Sequence, residues 1–72
     1  MNPRLTGIFR DVLDDPNLEL RDDLSRGECV SWDSLAHVKL VLAIEEEFGV
    51  KFSFDQVANA KSVADFKRMI GN

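Results

Sequence analysis

A chain of 72 residues with 9 basic and 13 acidic side chains, a net charge of −4 and a pI near 4.7 is too short for a deep catalytic pocket and too acidic to attract nucleic-acid phosphates. Apolar residues make up 44% and charged ones 31%, which suits one folded domain over residues 1–72 rather than a disordered tail. No apolar run reaches membrane-spanning length, Met1-Asn2-Pro3-Arg4 does not open a secretory signal, and the lone Cys29 reads as a small, partly buried hydrophobe in a reducing compartment. The expectation is a cytoplasmic monomer with no membrane insertion and no nucleic-acid partner.

The first helix is predicted to begin at Asn2-Pro3, an N-cap followed by a proline whose missing amide costs nothing at the first helical position. Leu5, Ile8, Phe9, Val12 and Leu13 recur at helical spacing and form one apolar stripe. Gly7 inside it costs roughly 1 kcal/mol relative to alanine, so packing rather than propensity must hold this helix. Asp14-Asp15-Pro16-Asn17 ends it. Residues 14–33 then form a long connection without periodicity, with Leu18, Leu20, Leu24, Val30 and Trp32 as its expected pins to the core. Trp32 is read as a packing anchor.

Trp32-Asp33-Ser34-Leu35 opens the second helix. Asp33 is placed to cap it by accepting from the free amides of the first turn, and Ser34 then falls at the first helical position beside the positive end of the helix dipole. An anion attached to that hydroxyl would sit where a helix N-terminus favours negative charge. Leu35, Val38, Leu40, Val41, Leu42, Ile44 and Phe48 cover more than half of the circumference, which predicts a central helix buried against several neighbours. With its ring buried, Phe48→Ala would cost roughly 3–5 kcal/mol.

Gly49 suits a left-handed C-cap bracketed by Phe48 and Val50. Glu45, Glu46 and Glu47 oppose the dipole at that end, and a local rule broken without local gain points to function or to a solvated charge run.

Val50-Lys51-Phe52 reads as an extended link. Ser53 with Gln56 forms a capping box for a short helix to about Ala60. Ser62 with Asp65 forms another, for a last helix whose inner stripe is Val63, Phe66 and Ile70 and which ends at Gly71. The fold class that follows is all-α: a small four-helix bundle, three main helices plus one short one, with a long loop between the first two.

The whole length resembles the acyl carrier protein family. Asp33-Ser34-Leu35, followed at the right spacing by Glu45-Glu46-Glu47-Phe48-Gly49, carries the likeness. The resemblance implies that Ser34 receives a 4′-phosphopantetheine arm from coenzyme A, installed as a phosphodiester by a phosphopantetheinyl transferase, and that the thiol of the arm holds acyl groups as thioesters. It further implies that Asp33 caps the helix and helps the transferase recognise the site, and that Leu35 anchors the first turn. Glu45, Glu46 and Glu47 would meet the basic surface patches of acyl-loading, condensing or acyl-transfer enzymes. The chain itself would catalyse nothing.

Two departures from the family pattern matter. Fatty-acid carriers usually have further acidic side chains where this chain has Ala36, His37 and Lys39, which implies a specialised acyl, polyketide-like or envelope-lipid pathway. Ser31-Trp32 replaces the Gly-Gly common in peptidyl or aminoacyl carriers, which makes that reading an alternative. A helical adaptor that is never modified is another, but an adaptor has no need of a hydroxyl at this helix start. Ser34 as a hydrolase nucleophile paired with His37 lacks an orienting acid and oxyanion donors. His37 is expected at the surface or boundary, near the modification site.

Overall fold

The computed structural model describes residues 3–71. In chain order it has helices α1 (Pro3–Val12), α2 (Ser34–Phe48), α3 (Phe54–Asn59) and α4 (Val63–Ile70). The all-α bundle expected from the sequence is therefore the fold. Pro3 opens α1 as expected; the proposed cap Asn2 lies outside the described residues. Past the end of α1, Asp14 takes a left-handed backbone (φ 54°), a conformation that aspartate tolerates better than most residues. Gly49 ends α2 and Gly71 ends α4 at φ 66° and 97°, where a Cβ would be strained.

One buried cluster holds the helices together. Leu5, Phe9 and Leu13 come from the first helix and its end, Ala36, Leu40, Val41 and Ile44 from α2, and Val63 and Phe66 from α4. At its centre Phe9 meets Trp32 edge-on with ring centroids 5.3 Å apart, while Trp32 and Phe66 stack at 6.2 Å. Such pairs add roughly 0.5–1.5 kcal/mol beyond the area they bury.

The long connection is pinned at several points. Arg10 donates from Nε to the carbonyl of Leu18 at 2.8 Å, and Leu24 and Trp32 are buried. Leu18 and Leu20 pack half-buried against the core, whereas Val30, also expected as a pin, is 99% exposed. The stretch 22–26 runs against the start of α4. The carbonyls of Leu24 and Asp22 accept the N–H groups of Val63 and Ala64, and Arg26 N–H donates to Lys61, all at 3.0 Å. The first turn of a helix has N–H groups without intrahelical partners, and here the loop supplies acceptors for two of them. Its length is thus used to cross the bundle and cap another helix.

The two capping boxes form as predicted. Ser53 and Gln56 exchange bonds at the start of α3, and Ser62 and Asp65 do so at the start of α4. The Lys61 backbone N–H donates to Asp65 at 2.8 Å and, against the opposing cost of burial and with Arg68 and Ser62 adding, holds its carboxyl below the usual carboxylate range.

Candidate functional site

The start of α2 is built by two adjacent residues with opposite fates. Trp32 is only 2% exposed and locks the end of the loop into the core. Asp33 lies outside, in extended backbone, and its carboxylate accepts the N–H of Ala36 at 2.8 Å. Its carbonyl takes the His37 N–H at 2.9 Å, which starts the helical ladder. Ser34 follows as the first helical residue, and it is exposed. Among the described residues no hydrogen bond engages its hydroxyl. A nucleophilic oxygen with no structural duty thus stands at the positive end of a 15-residue helix. Nothing beside it forms a hydrolytic triad: both ring nitrogens of His37, the only histidine, are occupied elsewhere.

Three side chains expected inside the bundle are outside it. Leu35, Val38 and Leu42 are 64%, 51% and 60% exposed. Their spacing of i, i+3 and i+7 places them on one stripe starting beside Ser34. The inner face is carried instead by Ala36, His37, Leu40, Val41 and Ile44. The reason lies in the count of neighbours: α1 and α4 pack on one side of α2, and no described helix covers the other. Lys39 and Glu46 are exposed next to that stripe.

The three acids at the end of α2 separate. Glu45 is half-buried and accepts the N–H of Phe52 at 2.8 Å, folding the 50–52 link back onto the helix. Glu47 pairs with Arg4 of α1 at 2.7 Å, and Arg4 also lies 4.7 Å over the Phe48 ring and donates to the Glu47 carbonyl. Glu46 alone of the three has no such partner among the described residues. The Phe48 ring is half-buried, not enclosed as expected.

His37 corrects the sequence reading most. It was expected near the surface, but it is 5% exposed and is the one buried polar side chain among the described residues. The Trp32 indole N–H donates to its Nδ1 at 3.1 Å, and its Nε2 lies 2.9 Å from the Val57 carbonyl of α3. No local signal marks it, because its second partner, the Val57 carbonyl, lies 20 positions away in the chain.

A family profile described as a phosphopantetheine attachment site matches residues 3–70. The chain is 35% identical over 68 residues to an acyl carrier protein of Acidothermus cellulolyticus, covering 94% of this chain and 81% of that one. To an acyl carrier protein of Thermosynechococcus vestitus it is 32% identical over 69 residues, with 96% and 85% covered. Among solved structures, the holo acyl carrier protein of Geobacter metallireducens superposes with a TM-score of 0.82 at 30% identity, over 96% of this chain and 83% of that one.

Proposed function

The chain belongs to the acyl carrier protein family, marked by its phosphopantetheine attachment site, and from that membership we propose that Ser34 carries the arm. The observation that supports this most directly is the Ser34 hydroxyl: exposed, unbonded, and at the first turn of α2 behind a cap that Asp33 already supplies. When attached, 4′-phosphopantetheine from coenzyme A supplies a flexible arm whose terminal thiol holds acyl groups as thioesters.

The residues fit such a group. The free amide end of α2 favours the negative phosphodiester. Asp33 spends its carboxylate on the Ala36 amide, so it holds the turn in shape without blocking Ser34. Leu35 is exposed beside the attachment point and can be touched by a modifying or acyl-handling enzyme. The protein is a carrier and not an enzyme; others act on what it presents.

For the partners we propose that Leu35, Val38 and Leu42 form the contact core, with Lys39, Glu46 and Glu47 at its rim. Interfaces commonly have this apolar centre and charged border, and the rim sets orientation and encounter rate more than affinity. Glu45 contributes charge to the same end while holding Phe52. Ala36 and His37 are buried, and Lys39 puts a cation where the face would otherwise be acidic. This mixed face supports partners of a dedicated pathway, for specialised acyl, polyketide-like or envelope-lipid synthesis. Elongation on this chain by the organism's fatty-acid synthase, as fast as on its usual carrier, would remove that part of the reading.

The test of the site is the intact mass after incubation with coenzyme A and a broad-specificity phosphopantetheinyl transferase. Wild type should gain one phosphopantetheine and Ser34→Ala none. A folded wild type that gains nothing, or a Ser34→Ala protein that still gains the arm, would overturn the assignment.

A further inference from the structure

We propose that Lys39 is a specificity-determining residue of the outer face of α2. It disfavours partner enzymes whose contact surface is uniformly basic and selects those that set an acidic side chain against it, beside an apolar centre. This rests on the reading above of Ser34 as the arm-bearing residue and of the outer stripe of α2 as the docking face.

Lys39 is exposed on α2 and has no structural duty there. Charged side chains on a helix find partners three or four positions away. At those positions Lys39 has Leu35, Ala36, Leu42 and Ala43, none of which can answer its charge. Among the described residues, no ion pair or side-chain hydrogen bond engages it. It follows Ser34 by five positions, about 7.5 Å along the helix axis. In the chain it falls between the exposed Leu35 and Leu42. A partner that reaches the arm and covers both leucines therefore meets this ammonium.

The acids of the chain that could offset the cation are engaged or distant. Asp33 accepts the Ala36 N–H, Glu45 accepts the Phe52 N–H, and Glu47 pairs with Arg4. Glu46 stands seven positions on, about 10.5 Å along the axis, which exceeds the screening length of about 8 Å at physiological salt. Lys51 lines the same groove as Glu46, next to Leu42, and dilutes the negative charge at that end. Outward from Ser34 the face thus runs Leu35, Lys39, Leu42 and then a groove of mixed charge. Covering Lys39 with apolar side chains strips its water and supplies no counter-charge, while an arginine or lysine opposite it adds repulsion. An acidic side chain there offsets both costs. Pairs of this kind act on encounter and on the rejection of wrong partners more than on affinity.

The test uses the full chain and two phosphopantetheinyl transferases, one of broad specificity and one whose carrier-facing surface is basic. The broad enzyme is run on wild type to establish that Ser34 takes the arm. With the basic enzyme, kcat/KM should rise from wild type through Lys39→Gln to Lys39→Glu, by about tenfold over the series at low ionic strength, and the spread should shrink as salt is added. Lys39 is exposed, so both substitutions should leave the unfolding midpoint nearly unchanged. Changing the carrier-facing basic residues of that enzyme to glutamate, one at a time, should yield a form that prefers wild type to Lys39→Glu. A flat charge series, a spread that salt leaves intact, or no enzyme form with reversed preference would each overturn the proposal. With wild type modified by the broad enzyme, such a result overturns this proposal alone. A folded wild type that the broad enzyme leaves unmodified overturns it together with the assignment of Ser34.

Discussion

The two faces of α2 carry the same kinds of side chain and do opposite things. Leu40 and Ile44 are fully buried, while Leu35 and Leu42 are mostly in water. The inner face holds the bundle together through contacts with α1 and α4. The outer face contributes little to that and leaves an apolar stripe running from Ser34. Exposed leucines of this kind cost solubility, and such a stripe fits the partner surface proposed above. On the proposed reading, stability and partner docking fall on separate sides of one helix.

Substitutions on the two faces should separate the two roles. Ile44→Ala should have the largest effect, about 2–5 kcal/mol lost in denaturant unfolding, enough to unfold much of so small a domain. Phe48→Ala, with its ring half-buried beside Arg4, should cost less than a buried phenylalanine, below roughly 3 kcal/mol. Asp33→Ala removes the cap of α2 and should cost about 1 kcal/mol. Ser34→Ala should stay below roughly 1 kcal/mol and still abolish arm attachment; an unfolded Ser34→Ala protein would make the residue structural. Leu42→Gln on the outer face should change stability by no more than about 0.5 kcal/mol while slowing transfer to an acyl-handling partner. A destabilisation of Leu42→Gln matching that of Ile44→Ala would erase the distinction between the faces.

A pH titration sharpens the same picture at a site away from α2. Asp65 has its folded pKa lowered, chiefly by the Lys61 N–H. The unfolded chain then binds that proton more readily, so Asp65 contributes stability above its ordinary range and loses it as the pH falls through the folded value. Asp65→Asn should remove that part of the acid dependence of unfolding, and an unchanged acid limb would show that the cap carries none of it.

The helices, both capping boxes and both glycine ends were legible in the sequence because each rests on neighbours within a few residues. Ser53 needs only Gln56, Ser62 only Asp65, and Gly49 only its own lack of a Cβ. Asp33 and Ser34 were legible for the same reason. The faces of α2 were not. A pattern of Leu35, Val38, Leu40, Val41, Leu42 and Ile44 is apolar nearly all round, so its period does not say which side meets the other helices. Glu45 and Glu47 read as a charge run against the dipole, yet their partners Phe52 and Arg4 stand 7 and 43 positions away. His37 read as a boundary residue because its acceptor, the Val57 carbonyl, lies 20 positions on.

The order of residues was thus enough for the elements, their ends and an anion-favouring serine at a helix start, since helical hydrogen bonds and caps are local. Only the packed bundle decided that Leu35, Val38 and Leu42 remain in water, that two of three carboxylates have partners within the chain, and that the single histidine is a buried bridge. These outcomes depend on which surfaces meet, and a helix surface with apolar residues on every side leaves that choice to the helices packed against it.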